Sequence, residues 1–346
     1  MRRAWPHAWR LPAALSLAVL GLAALGLAGC GRDAQENATQ HRFMAMGTLV
    51  DVTVYGVPAD EAGTAAREVE RLFHDLHRAW QPQGDGALGR LNTMLAADPA
   101  TDPAAVDADL GMLIAAANGL AQDTGGLFDP GLGALVQLWG FASAESLPAA
   151  PPPPEAVAAW LEERPLQVDL GGFAKGVAVD RAIALLRARG IEHAIVNAGG
   201  DLRAIGRKGD RPWRIGIRAP RDPAGVLAAL ETAGDEAVFT SGDYERWFEH
   251  DGRRYHHILD PRTGYPTAGL VSVTVLHADA GRADAAATAL MVAGPEAWPA
   301  VAAALGIEAV MVVRADGGIE LTPAMQPRIW FTDAAYGGQA RVRPLP

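Results

Sequence analysis

Of 346 residues, 49% are apolar and 6% aromatic, the make-up of an ordinary globular protein with material for one large or two small cores. Forty acidic residues against 30 basic ones give a formal net charge of −10. Loss of residues 1–29 would remove Arg2, Arg3 and Arg10 and no acid, and so acidic a chain is set aside as a nucleic-acid binder, which needs the opposite balance.

The N-terminus carries those arginines, then an apolar run from Leu11 to Ala28 that ends in Leu27-Ala-Gly-Cys30, the pattern of a secretory signal. About 18 apolar residues can also span a bilayer as an anchor. Cys30, the only cysteine, stands where a lipoprotein signal places its acylated residue, which favours the signal and leaves no disulfide within the chain. The predicted organisation is a signal peptide over 1–29, a lipid-anchored tether over 30–42, a globular domain over 43–331 and a loose tail over 332–346.

Thr48 to Tyr55 alternates Val50, Val52 and Val54 with more polar positions, the period of a half-buried strand. Asp60 opens an amphipathic helix whose apolar stripe includes Val69, Phe73, Leu76 and Trp80, and which stops before Pro82. A second helix spans Asp107 to about Asp123, with a turn-rich exit to Pro130, and Leu132 to Phe141 forms a short apolar helix. Ser143 to Pro154 is proline-rich and extended, and Glu155 to Glu163 is helical. The apolar run Leu166 to Leu170 leads through Gly171-Gly172 into a helix from near Phe173 to about Arg189, stopped by Gly190. His193 to Asn197 is a strand followed by Ala198-Gly-Gly-Asp201. Beyond Trp213 come strands at 213–217, 237–240, 255–259, 270–277 and 309–314, with helices at 282–293 and 295–305. This order, without strict βαβ alternation, predicts an α/β fold of mixed α+β type in a single compact domain, with two subdomains as the alternative.

Three clusters bear chemistry. In Asp169-Leu-Gly-Gly-Phe-Ala-Lys-Gly-Val-Ala-Val-Asp180, glycines at a helix start can admit a phosphate, or they can simply make a turn and cap. The stretch fits neither the dinucleotide fingerprint nor Walker spacing, and Lys175 is one of only two lysines, with Lys208. His256 and His257 precede the turn Asp260-Pro-Arg-Thr-Gly264; on a strand they point to opposite faces, so one could serve as a base and either could be structural. Asp284 and Thr288 are i and i+4 on an alanine-rich helix, two hard oxygen donors suited to Mg²⁺ completed by a phosphate and backbone carbonyls, or else a helix-dipole partner and a back-bonded hydroxyl.

Seven ordered motifs, Met46-Gly-Thr48, Gly125-Gly-Leu-Phe-Asp-Pro130 with Leu138-Trp-Gly-Phe141, the 169–180 stretch, Asn197-Ala-Gly-Gly-Asp201, Thr240-Ser-Gly-Asp-Tyr-Glu-Arg246, His257-Ile-Leu-Asp-Pro-Arg-Thr-Gly264 and Ala283-Asp-Ala-Ala-Ala-Thr-Ala289, resemble the FAD:protein FMN transferases, the ApbE lipoprotein family. The resemblance spans roughly residues 43 to 314. It implies a Mg²⁺-dependent reaction on FAD as substrate, in which FMN passes to a threonine or serine hydroxyl of an acceptor protein and AMP leaves, with FAD held in a cleft. By motif position, Met46, Trp80, Leu127, Phe128, Asp129, Asp169, Lys175 and Leu259 would contact FAD. Gly172 through its carbonyl, Asp284 and Thr288 would hold the metal, and His257 would be the base. Ala287 stands where some members carry a further acid, which removes one charged ligand, and Phe173 replaces a commoner aliphatic residue. Asp169 cannot face phosphates unscreened, so it bonds a neutral donor of FAD or supports the metal. The family's acceptors include subunits of membrane-bound quinone reductases and ferredoxin-linked reductases, which matches a lipid anchor at Cys30 in the bacterial cell envelope, facing the periplasm. A pyrophosphatase that gives FMN and AMP, and a flavin-binding lipoprotein without catalysis, are the alternatives.

Overall fold

The computed structural model describes residues 38–142, 147–222 and 224–346; the predicted signal peptide, Cys30 and most of the tether lie outside them. Strands β1 (Thr39–Ala45) and β2 (Thr48–Tyr55) pair antiparallel, Thr39 opposite Val54 and Ala45 opposite Thr48. The predicted tether boundary at 42 therefore falls inside a strand. Helix α1 (Ala59–Trp80) follows as expected, then α2 (Ala87–Ala97), α3 (Pro103–Val106) and α4 (Ala108–Asp123), the last capped by the Asp107 side chain on Leu110 N. Next come α5 (Gly133–Leu138), α6 (Pro154–Glu163) and α7 (Ala174–Ala188). Gly190, at φ 75°, ends α7 with the left-handed residue that glycine supplies.

Residues 166–170 form no named strand: their ladder pairing is limited to an isolated bridge of Gln167 to Leu132, beside a bond from Asp169 N to Pro130 O. The remaining elements are β3 (His193–Ala198), β4 (Asp201–Ile205), β5 (Arg214–Arg218), β6 (Val226–Glu231), β7 (Glu236–Gly242), β8 (Trp247–His250), β9 (Arg253–His256), β10 (Leu270–His277), α8 (Ala280–Ala304), β11 (Ala309–Arg314), β12 (Ile319–Leu321), β13 (Ile329–Phe331), α9 (Ala334–Gln339) and β14 (Ala340–Val342). Gly294, at φ 77° and ψ −178°, is non-helical and interrupts α8 before Pro295, so α8 is two helical segments joined at a kink, matching the two predicted helices.

A nine-stranded sheet in the order β1-β2-β3-β4-β7-β10-β11-β12-β14 organises the molecule. Its central strands β10 and β11 are covered on both faces, which is why they read as nearly unbroken apolar runs, whereas β1 and β2 leave one face partly exposed. Val273, Val275, Val310 and Val312 face a main core with α1, α7 and α8, while Val271, Leu276, Met311 and Val313 face a second core under the small sheet β13-β6-β5. A third apolar cluster of Leu135, Trp139, Phe141, Val157, Trp160, Phe248 and Leu259 ties α5 and α6 to the β8–β9 hairpin, with Trp139 Nε1 donating to Gly264 O at 2.7 Å.

The segment expected as a loose tail instead carries α9 and β14. The latter pairs parallel with β12, and Arg343 donates to Pro295 O at 2.7 Å and to Glu320. A three-residue strand is too short to show a period in the sequence, and the pairing is supplied by the sheet edge. The described residues form one compact unit, so the alternative of two subdomains is not realised. Among them no helix is long and apolar enough to cross a membrane.

Candidate active site

The site is built where the first turn of α7 meets the first turns of α8. Close approach is possible because Gly176 has no side chain; a Cβ there would lie 2.2 Å from Ala280 O. Asp180 locks the contact, its carboxylate accepting from Ala280 N at 2.9 Å and Gly281 N at 3.2 Å while it pairs with Arg203. That anion at the start of α8 is the charge the helix dipole favours. Asp279 caps the same helix through Arg282 N at 2.7 Å.

Asp284, 4% exposed, projects from the second turn of α8. Its carboxylate accepts from Gly176 N at 3.1 Å and from Lys175 Nζ at 3.3 Å. Burial pushes Asp284 up to about 6 against the pull of Lys175. Lys175 is itself shared: its Nζ lies 2.9 Å from Asp201 Oδ2, and the two carboxylates hold its pKa above the ordinary lysine value despite burial. Asp201 also accepts from Thr240 N at 2.9 Å.

One turn on, Thr288 Oγ1 lies 3.2 Å from Ser241 Oγ. Gly172 sits against the same hydroxyl: a Cβ there would come within 3.1 Å of Thr288 Oγ1 and 3.5 Å of Phe128. A side chain at 172 would fill the space beside Thr288.

On the β9 side, His256 is a structural histidine. Its Nε2 donates to Thr267 O at 2.9 Å, and burial lowers its pKa. His257 is different. Its Nδ1 lies 3.3 Å from Arg246 O, and a carbonyl can only accept, so Nδ1 carries the proton and Nε2 keeps a free lone pair. Burial, with the positive charge of Arg246, lowers His257 to about 3. The charge of Lys175 is also felt there, which sets His257 within electrostatic reach of the α7–α8 cluster.

A sequence profile of the ApbE family matches residues 46–311. The chain belongs to the ApbE family. An FAD:protein FMN transferase of Rhodobacter capsulatus is 39% identical over 322 residues, covering 88% of this chain and 61% of the relative, so the chain spans about three fifths of that protein's length. One of Treponema pallidum is 33% identical over 345 residues, covering 88% of this chain and 93% of the relative. The crystal structure of the ApbE protein from Thermotoga maritima aligns with a TM-score of 0.74 at 32% identity, covering 84% of this chain and 99% of that one.

The ApbE motifs divide here into a compact cluster and its supports. Gly172, Lys175, Asp284 and Thr288 come together, with Phe128 against them. Met46, at φ 52°, donates its N–H to His77 Nδ1 at 3.1 Å, which sets the β1–β2 turn beside the last turn of α1, where Trp80 lies. Trp80 is 5% exposed in the main core with the Arg181 guanidinium 5.0 Å from its ring, and Leu259 is buried in the third cluster. Asp129 and Asp169 each close a turn, accepting from Gly131 N and Gly171 N at 2.7 Å. Burial raises the Asp169 pKa, with Gly171 and Arg246 pulling the other way. Leu127 is half-buried against the main core. Arg262 pairs with Asp260 at 2.8 Å and donates to Val292 O at 3.0 Å, a structural tie to α8.

Asp201, Ser241, Arg246 and the clamp residue Asn92 escaped the sequence reading. Asn92 bonds both N and O of Val168, at 2.8 and 2.9 Å, which fixes the approach to Asp169. Asp201, Ser241 and Arg246 lie within two of the ordered motifs from which no site residue was chosen, and their acid, hydroxyl and guanidinium types were the available signal.

Among the described residues no group of three His, Cys, Asp or Glu side chains is placed to hold a metal. The donors present are one carboxylate, the hydroxyls of Thr288 and Ser241, and the Gly172 backbone. That hard-oxygen set fits a divalent cation that keeps ligands from a bound phosphate. Lys175 on Asp284 marks the same place as one that accepts a cation.

Proposed function

We propose that this protein transfers the FMN moiety of FAD to a threonine or serine hydroxyl of an acceptor protein and releases AMP. Its similarity to relatives named FAD:protein FMN transferase supports the reaction class. The observation that carries the mechanism is the free Nε2 of a neutral His257, whose ring feels the charge of Lys175 in the α7–α8 cluster with Asp284 and Thr288. The acceptor hydroxyl oxygen attacks the phosphorus of the FMN half, the bond to the AMP phosphate breaks, and the hydroxyl proton passes to His257 Nε2. A neutral imidazole is the form that can take that proton, and its Nδ1 bond to Arg246 O fixes the ring. Bound Mg²⁺, held by Asp284, Thr288 and the Gly172 carbonyl, would neutralise charge on the pyrophosphate. Lys175 supplies positive charge beside it. The remaining motif residues, Met46, Trp80, Leu127 to Asp129, Asp169 and Leu259, would frame FAD in a cleft.

Incubation with FAD, Mg²⁺ and an acceptor subunit from a membrane-bound quinone reductase or ferredoxin-linked complex tests the proposal. A fluorescent acceptor band that survives denaturing electrophoresis is expected. Free FMN without such a band would assign a pyrophosphatase, and no AMP at all would leave flavin binding alone. In this reading the protein acts at the cell envelope, anchored through Cys30 and facing the periplasm, which raises the effective concentration of membrane acceptors.

A further inference from the structure

Lys175 makes three side-chain contacts with two carboxylates and none with a backbone carbonyl. It stands 2.9 Å from Asp201 Oδ2 and 3.3 and 3.5 Å from the two oxygens of Asp284. The shorter contact is therefore to Asp201, and the longer, divided one is to the residue read here as a metal ligand. Asp284 keeps a second anchor in Gly176 N at 3.1 Å, so it does not depend on Lys175 for its orientation. Asp201 is likewise anchored, by Thr240 N at 2.9 Å, on the strand whose next residue, Ser241, reaches Thr288. Side-chain exposure is 26% for Lys175 and 11% and 5% for Asp201 and Asp284, so an ammonium leaving one carboxylate has to be received by the other or by a ligand. A buried charge left unpaired is strongly unfavourable.

We propose that Lys175 is the placeholder cation of the metal-free site and that Asp201 is the positioning residue that receives it. A divalent cation and the Lys175 ammonium exclude one another at Asp284. When the cation arrives, the lysine withdraws to Asp201, from where it faces the phosphates of the substrate. Ala287 leaves Asp284 as the one carboxylate of α8 in this cluster, so the exchange turns on a single group. The inference rests on the reading of Asp284 as a metal ligand.

Composition makes the test direct, because Lys175 and Lys208 are the only lysines. With ¹³C-lysine labelling, the full FAD-free chain should show two side-chain Cε signals, and Mg²⁺ should move that of Lys175 while leaving that of Lys208. Mn²⁺ titration without FAD, followed by electron paramagnetic resonance, should show at least tenfold tighter binding in Lys175→Gln, although the same variant binds FAD more weakly. Asp201→Asn should weaken Mn²⁺ binding about tenfold, and by clearly less in the Lys175→Gln background, because the carboxylate acts through the lysine. A Lys175 signal unmoved at saturating Mg²⁺, or equal or weaker Mn²⁺ binding in Lys175→Gln, would overturn the exchange. Equal effects of Asp201→Asn in both backgrounds would remove Asp201 from it. Asp284→Asn that binds Mn²⁺ like the wild type would instead refute the metal-ligand reading itself. Circular dichroism and thermal melts of each variant exclude misfolding as the source of a weakened titration.

Discussion

His257 shows how one hydrogen bond sets a residue's chemistry. The Arg246 carbonyl holds the Nδ1 proton, and burial with the nearby guanidinium lowers the ring to about 3, so it is neutral across the ordinary pH range. Unfolding returns it to the usual pKa near 6.5, and the unfolded chain then binds a proton that the folded chain refuses. Stability conferred by a depressed histidine is thus present above pH 6.5 and is lost as pH falls toward 3. Asp284 works in the opposite sense, since a carboxyl raised to about 6 favours the folded state as pH falls from there to about 4. A comparison of variants cancels that contribution. Between pH 7 and pH 5, urea denaturation should show the wild type losing on the order of 1–2 kcal/mol more than His257→Gln. Equal losses would mean that the ring is not held neutral. At this scale the sequence was informative about residue types and less so about partners. The pair His256-His257 could be divided by strand alternation, yet which one keeps a free nitrogen depends on Thr267 and Arg246, reached only by folding.

The element that matters most is the α7–α8 corner. Its glycine is legible only as a glycine in the sequence; that its Cβ position is occupied by Ala280 O belongs to the packed structure. Gly176→Val should therefore separate the two helices, with a stability loss of about 1–3 kcal/mol in urea denaturation, and weaken Mn²⁺ binding together with it. A variant as stable as the wild type would show that the corner tolerates a side chain. The long helices α1, α4, α7 and α8 were readable from their apolar spacing, helped by Asp caps on α4 and α8 and by the terminal Gly190 on α7. Helix α2 was missed because Gly86 and Gly89 weaken its pattern, although both are demanded by packing: a Cβ at either would meet a backbone oxygen, Arg78 O at 2.0 Å or Gly84 O at 2.2 Å. Strand β4 was hidden behind Gly199-Gly200, a hairpin turn with both residues at positive φ.

For the whole molecule, the mixed α/β class followed from the order of elements, but the sheet order did not. Strand β4 inserts beside β7, and β10 joins β7 to β11, pairings that depend on long-range closure. The tail illustrates the same point, since β14 takes its partner from an edge strand formed some twenty residues earlier. Charge and the lone Cys30 speak to location. Labelling with a fatty acid in cells is expected to mark the wild type and to leave Cys30→Ala unmarked and released from membranes; a labelled Cys30→Ala would refute the anchor. The central claim is that the cluster at α7–α8 and the His257 imidazole form one catalytic centre acting on FAD, and the most direct test is AMP release in a single turnover with FAD, Mg²⁺ and acceptor. The wild type should release one AMP per flavin transferred, and Asp284→Ala and His257→Ala should each lose at least about a hundredfold in rate. Undiminished AMP release in both variants would contradict the account.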